Sequence, residues 1–269
     1  MIKALFFDLD GTLLTSARKL SDKTKTALKA CNENGIKIFV ATARPPLIGK
    51  MLCFAPEELE IIKDGGVFYN GGCICCNNQK IYTTIPEEAV KISIEIIKAC
   101  EEANIALQFV HEKHSFRYGL TDANYSLWGV NEDELISFQD ISYFDVVKIV
   151  VFSSCDKLAG LQNELLAAAG ASTNVYLTGS GVLRSIEIVS KAINKKLAVD
   201  RVTELCNLNR CEVAVFGDDY NDIEMLKGFM YSVAMGNASN EVKCCARFVT
   251  LGNDEEGIHY ALSNILKLI

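Results

Sequence analysis

Short continuous apolar runs alternate along the chain with stretches whose apolar residues recur every three or four positions. That alternation predicts strands interleaved with helices. Lys3 to Phe7 is one such run, of the kind needed by a strand buried on both faces of a parallel sheet. Ser21 stands where it can cap a helix on which Ala27, Leu28 and Cys31 share a face, and Asn34-Gly35 stops that helix. A second strand, Ile36 to Ala41, follows at once. Strand, helix, strand in this order calls for a right-handed crossover and a parallel sheet. The C-terminal third repeats the logic. A helix over Lys195–Cys206 leads to a strand at Val213–Phe216 and then to Gly217-Asp218-Asp219. A helix near Asp222–Lys227, a strand Tyr231–Met235, a helix near Asn240–Cys245, a strand Arg247–Thr250 and an amphipathic helix from Glu255 complete it.

The middle of the chain reads differently. Between about Thr84 and Ser185 the pattern gives two helices, Glu87–Ala103 and Asp156–Ala169, among β-rich runs such as Ala106–Val110, Val146–Phe152 and Leu183–Val189. Two long helices and several short strands suit an α+β domain with a helix-covered sheet. The same α/β pattern stands on both sides, so this segment is an insertion. The expected organisation is a discontinuous α/β core, 1–83 and 186–269, with an inserted domain over 84–185.

Composition narrows the picture only a little. Of 269 residues, 49% are apolar and 23% charged, an ordinary globular balance that excludes disorder and low complexity. The 27 basic residues against 34 acidic ones give a net charge of −7, and no polybasic run stands out, so neither nucleic acid nor an anionic membrane is an expected partner. The opening MIKALFFDLDG interrupts its apolar run at Asp8, too early for a secretion signal, and no stretch nears the roughly 18 apolar residues that span a bilayer. The eleven cysteines are odd in number and read as reduced thiols of a cytoplasmic protein. Cys73, Cys75 and Cys76, and the adjacent Cys244 and Cys245, lack the spacing of a zinc site and are better explained as small buried side chains.

Chemistry concentrates where strands end. Asp8 and Asp10, two apart in extended chain, point to the same side at the carboxyl end of the first strand, the edge where open α/β sheets bind ligands. Two carboxylates so close repel, and a hard divalent cation relieves the repulsion. Gly11 lets the chain turn away. A calcium loop of the EF-hand type fails, because a strand precedes it and its twelfth position is Lys19. The second strand ends in Thr42, whose hydroxyl can hydrogen-bond a phosphate oxygen. Gly217-Asp218-Asp219-Tyr220-Asn221-Asp222 follows a third strand, with Asn221 or Asp222 equally suited to cap a helix. Lys195 stands where the chain re-enters the core, with Lys191 and Lys196 as neighbours that compete for its assignment. His111 and His114 sit in a polar and aromatic stretch that ends at Tyr118 and reads as a hairpin or loop, without the further ligands of a zinc site. Trp128, with its neighbours from Tyr125 to Gly129, reads as core aromatic, and Gly179-Ser180-Gly181 as a turn. No GxGxxG follows either leading strand, which disfavours a dinucleotide enzyme.

In their order and placement these motifs resemble the haloacid dehalogenase superfamily, and within it the Cof-type phosphatases with a large α/β cap. Asp8-Leu9-Asp10-Gly11-Thr12-Leu13 is similar to the first motif, Thr42 to the second, Lys195 to the third and Gly217 through Asp222 to the fourth. Asn70-Gly71 and Val233-Ala234-Met235-Gly236-Asn237-Ala238 are further family-like pieces. Two positions depart. Ala43 stands where the family usually has Gly between Thr42 and Arg44, and Lys191-Ala192-Ile193-Asn194-Lys195-Lys196 replaces the glycine-containing approach to the motif-three lysine. Lys195 is aligned because Glu187-Ile188 precedes it at the family's spacing.

The resemblance implies a Rossmann-like, doubly wound parallel sheet with an inserted α+β cap. It also implies a Mg2+-dependent phosphatase of small phosphorylated metabolites, acting in the cytoplasm as a monomer or weak homodimer. On this pattern Asp8 is the nucleophile and Asp10 the acid and base. Asp8, the backbone carbonyl of Asp10, and Asp218 hold the metal, while Thr42, Lys195 and Asn221 meet the phosphate. Gly11, Thr12, Arg44, Asp219 and Asp222 support them. A phosphomutase of the same fold, or a non-catalytic binder of Mg2+ and a phosphometabolite, are the alternatives.

Overall fold

The computed structural model describes residues 1–100, 103–117, 130–153, 155–178 and 184–269. Tyr118, the stretch 125–129 with Trp128, and Gly179-Ser180-Gly181 lie outside the described residues. The described strands are β1 (Ala4–Phe7), β2 (Lys37–Ala41), β3 (Gly66–Phe68), β4 (Cys73–Cys76), β5 (Gln79–Tyr82), β6 (Asn104–Phe109), β7 (His114–Arg117), β8 (Val146–Phe152), β9 (Thr173–Thr178), β10 (Ser185–Ser190), β11 (Val213–Gly217), β12 (Tyr231–Ala234) and β13 (Phe248–Val249). The described helices are α1 (Asp22–Glu33), α2 (Ile48–Leu52), α3 (Pro56–Ile61), α4 (Glu87–Ala99), α5 (Cys155–Ala169), α6 (Lys195–Leu205), α7 (Ile223–Gly228), α8 (Asn240–Lys243) and α9 (Gly257–Tyr260).

The chain divides into two compact units. Met1–Arg44, Ile48–Ile81 and Asn194–Ile269 form the first, and Pro45–Leu47 with Tyr82–Ile193 the second. The first is built on an eight-stranded sheet in the order β13-β12-β11-β1-β2-β3-β4-β5. Strands β13 to β3 are parallel, and β4 joins β3 antiparallel. The central strands are apolar throughout because both faces are covered: Leu5, Phe6, Phe7, Phe39, Val215 and Phe216 are all buried. Phe6 stacks on Phe39 and Phe7 on Phe216, so the aromatic side chains that fill the sheet also tie β1 to its two neighbours. Helix α1 begins as its cap predicts, the Ser21 side chain accepting from the Thr24 N–H at 3.1 Å.

Register is what places the site. Phe7 lies opposite Phe216 on one side and Val40 on the other, so β1, β2 and β11 end level with one another. The Asp8 N–H donates to Phe216 O and the Thr42 N–H to Val67 O, extending the ladder one residue into each functional loop.

The second unit is a five-stranded antiparallel sheet in the order β7-β6-β8-β10-β9. Val90, Ile94 and Ile97 of α4 and Leu158 and Leu165 of α5 close a core with Leu107, Ile149 and Ile188 from the sheet. Strand β10 pairs with β8 and β9, so the chain stays in this unit through Ile193 instead of leaving it at 185. The stretch from His111 forms the turn and outgoing strand of the β6–β7 hairpin.

Several elements depart from the sequence reading. Strands β3 to β5 and helices α2 and α3 fill a segment where no periodic pattern stood out. Their residues, such as Gly66-Val67-Phe68 and Cys73 to Cys76, form runs too short to carry a period. Helix α4 stops at Ala99 instead of Ala103. The amphipathic helix expected from Glu255 is broken, because Glu256 sits in the left-handed region at φ 60°. A 3-10 turn precedes it, and the short α9 runs on into a π turn over Ala261–Ile265.

Candidate active site

Four loops meet at the carboxyl ends of β1, β2 and β11. The first leaves β1 at Asp8 and turns at Gly11, whose φ of +80° an L side chain rarely adopts. A Cβ on Gly11 would lie 2.2 Å from Asp218 Oδ2, so the close approach of the β1 and β11 loops needs glycine here. The neighbouring Thr12 hydroxyl donates to Asp218 Oδ1 at 2.6 Å.

The second cluster centres on Lys195, the first residue of α6. Asn194 caps that helix, its side chain accepting from Leu197 N, and so fixes where the lysine starts. The ammonium is 1% exposed and bonds Asp8 Oδ1 at 2.6 Å and Asp222 Oδ1 at 2.7 Å. Burial alone would discharge Lys195, but Asp222 and Asp8 outweigh it and hold the ammonium above its ordinary range. Lys195 therefore makes the contacts that the sequence left open among three lysines.

Asp222 is fully buried and organises its own loop. Its Oδ2 accepts from the backbone N–H groups of Asp218 and Asp219, while Oδ1 faces Lys195. The side chain at the start of the following turn is Asp219, which accepts from Tyr220 N. Asp219 caps the 3-10 turn Tyr220–Asp222 and Asp222 reaches back to close the box; Asp222 also stands at the expected N-cap position of α7, though its side chain makes no cap bond there. Asn221 donates through Nδ2 to Asn70 Oδ1 at 3.0 Å, and its own Oδ1 is buried without a partner.

The carboxylates are poised unequally. Burial pushes Asp8 well above the usual carboxylate range; Lys195 opposes the rise, and Asp222 and Asp218 add to it. Burial likewise raises Asp218, to about 7, with the Thr12 hydroxyl pulling against it and Asp222 reinforcing it. Asp10 differs from both. It is exposed and forms a two-pronged pair with Arg44, Nε to Oδ2 at 2.6 Å and Nη2 to Oδ1 at 2.7 Å. Burial would lower the Arg44 guanidinium, but its hydrogen bonds and charge pairing with Asp10 keep it raised. Thr42 is buried at the end of β2, its hydroxyl accepting from Arg44 N.

One carboxylate oxygen from each of Asp8, Asp218 and Asp222 lies within 4.8 Å of the others. These donors are hard oxygens, and burial and mutual repulsion hold two of them toward the protonated state, so a divalent cation fits chemically. Asp222 is already engaged by Lys195 and two N–H groups, which leaves Asp8 and Asp218 as the pair better suited to hold it.

Two side chains join the cluster that sequence reasoning had given no role. Asn237 Nδ2 donates to Gly11 O at 2.9 Å and Asp218 Oδ2 at 3.3 Å, and its Oδ1 accepts from Asn253 N. Asn70, in the left-handed region at φ 57°, carries the carbonyl that Asn221 meets, while its N–H donates to Thr42 O. The available signal was positional: both asparagines stand just beyond the end of a parallel strand. His114 takes no part in a metal group among the described residues. Its Nε2 meets Gln108 and its Nδ1 the Glu112 carbonyl.

The family model of haloacid dehalogenase-like hydrolases matches residues 5–262. A haloacid dehalogenase-like hydrolase from Bacteroides thetaiotaomicron superposes with a TM-score of 0.82 at 27% identity, covering 98% of this chain and all of that one. The HAD subclass IIB sugar phosphatase BT4131 superposes with a TM-score of 0.81 at 27% identity, over 99% of this chain and 100% of the other. The 5-amino-6-(5-phospho-D-ribitylamino)uracil phosphatase YcsE of Bacillus subtilis (strain 168) is 25% identical over 263 residues, 97% of this chain and 94% of its own.

Proposed function

The chain belongs to the haloacid dehalogenase-like hydrolases, and from that premise we propose a Mg2+-dependent phosphatase of small phosphate monoesters that works through an aspartyl-phosphate on Asp8. The observation that carries this reading is the position of Asp8: at the end of a central parallel strand, 2.6 Å from a buried ammonium and beside Asp218.

In this reading the Asp8 carboxylate attacks phosphorus in line as the ester oxygen leaves. Asp10 protonates the departing oxygen and then takes the proton of the water that hydrolyses the aspartyl-phosphate, and the Arg44 pair orients it for both steps. Lys195 and the Thr42 hydroxyl balance charge on the phosphoryl oxygens, the largest contribution such a site makes. Asp222 holds Lys195 in place. Asp8, Asp218 and the Asp10 carbonyl would hold Mg2+, which would supply positive charge that favours the ionised carboxylates and offsets charge on the phosphoryl group.

The second unit, Tyr82–Ile193, serves as the cap that selects the leaving group. Sugar phosphates and related polyol phosphates are the favoured substrates, because a sugar phosphatase and a phosphoribitylamino-uracil phosphatase stand among the relatives. No described helix is long and apolar enough to cross a membrane.

The test is phosphate release over a panel of sugar phosphates, nucleotides and cofactor phosphates. Turnover is expected with Mg2+, is expected to stop with excess chelator, and is expected to fall at least about 1,000-fold in Asp8→Asn, whose fold persists. Unchanged hydrolysis by Asp8→Asn, or by chelated enzyme, would refute the reading.

A further inference from the structure

Away from the site, strand β4 and the end of α6 bring two thiols together. Cys76 Sγ and Cys206 Sγ stand 3.6 Å apart, both within the first unit. We propose that Cys76 and Cys206 form a reversible disulfide, made by exchange with a small anionic disulfide of the glutathione type, that fastens the far end of the helix bearing Lys195.

Three observations support it. First, the two sulfurs already stand at 3.6 Å, against about 2.05 Å in a disulfide, so little sulfur–sulfur separation remains to be closed. Second, a cleft of about 440 Å3 beside the pair is lined by Cys76, Lys37, Lys63, Asp64, Cys75 and Lys80; Cys206 does not line it but stands one sulfur–sulfur contact away, behind Cys76. Three lysines against the one carboxylate of Asp64 give the lining a net positive charge toward an entering anion, although Lys63 is already paired with Glu60. Third, the two sulfurs cannot serve as a metal centre with a neighbour: the one group of three or more metal-ligating side chains among the described residues is Asp8, Asp218 and Asp222.

The exchange balances without another reactant. Cys206 is half-buried, whereas Cys76 is 5% exposed and burial pushes its thiol up to about 12, so Cys206 takes the first step. Its thiolate attacks one sulfur of the small disulfide, giving a mixed disulfide and one released thiolate. That thiolate accepts the Cys76 proton. Cys76 then attacks the Cys206 sulfur and expels the second small thiolate, which takes up the proton that Cys206 had released to solvent. Two protein thiols are oxidised, and one small disulfide is reduced to two thiols.

The crosslink would join β4 to the residue that ends α6, the helix that starts with Lys195. It closes a loop of more than a hundred residues, for which the chain-entropy argument leads to a rise in melting temperature of roughly 5 °C or more.

The experiment treats the full chain with glutathione disulfide, blocks remaining thiols with iodoacetamide and maps peptides without reduction. The expected product is a peptide holding Cys76 linked to one holding Cys206, reversed by dithiothreitol, absent in Cys206→Ser and in Cys76→Ser, and accompanied by the higher melting temperature. Quantitative alkylation of Cys76 after prolonged oxidation would overturn the proposal. So would linkage of Cys206 to Cys75 instead, or an unchanged melting temperature in the linked protein.

Discussion

Lys195 carries one positive charge into a pocket that holds Asp8, Asp222 and Asp218, and the charge balance there rests on it. Replacing it with Met leaves buried carboxylates without their partner, a change that typically costs about 3–5 kcal/mol. Lys195→Met is therefore expected to lower the urea midpoint as well as turnover, and to lose more stability at pH 8 than at pH 5, since protonated carboxyls no longer need the ammonium. Equal stability losses at both values would mean that the pair is not electrostatically coupled. Asp8 and Lys195 were legible as site residues because each stands at an element boundary with a motif around it. Asn237 and Asn70 were visible only as parts of family-like pieces. What they do depends on which loops face each other, and that is settled by strand register. The cap role of Asp219 was missed for the same local reason: Asp218, Asp219, Asn221 and Asp222 all suit an N-cap, and only the path of the chain decides among them.

At the scale of elements, the turn after β1 is the tightest constraint in the site. Gly11 has no room for a Cβ beside Asp218 and sits at a φ that disfavours one. Gly11→Ala is expected to cost about 1–3 kcal/mol of stability and to reduce turnover by about 100-fold or more, because the β11 loop must move to relieve the clash. Circular dichroism melts and phosphate release on the same samples check it; wild-type values in both would show that the loops do not meet. Gly11 was legible in the sequence as a turn, but its second duty, admitting Asp218, was not. The parallel strands β1, β2, β11 and β12 were legible because both faces are buried and the apolar runs are continuous. The β3–β5 segment was not, since its strands are three or four residues long and its Asn77-Asn78 turn takes two positive φ values without glycine. The C-terminal helix misled because amphipathic spacing persists across Glu256, whose left-handed backbone breaks it.

Across the whole molecule the two units respond to different stresses. In the second, His114 is fully buried and burial pushes its imidazole down from 6.5 to about 4, with the Glu112 carbonyl opposing the shift. An unfolded histidine takes up its proton near pH 6.5 while the folded one resists, so the stability it contributes is present above that value and is lost as the pH falls toward 4. The loss amounts to at most about 3 kcal/mol across that window. Chemical unfolding of wild type and His114→Gln is expected to show a steeper decline between pH 6.5 and 4 in the wild type; identical slopes would remove His114 as the cause. In the first unit the proposed function predicts a response to a divalent cation and a phosphate ester, and it rests on covalent chemistry at Asp8. Acid-quenched enzyme, sampled within one turnover of a good sugar phosphate in the presence of Mg2+ and mapped by mass spectrometry, tests it most directly. One phosphoryl group on the peptide that contains Asp8, appearing before free phosphate and absent from Asp8→Asn, is the predicted result. Phosphate released at full rate with no phosphoryl on that peptide at any time would contradict it.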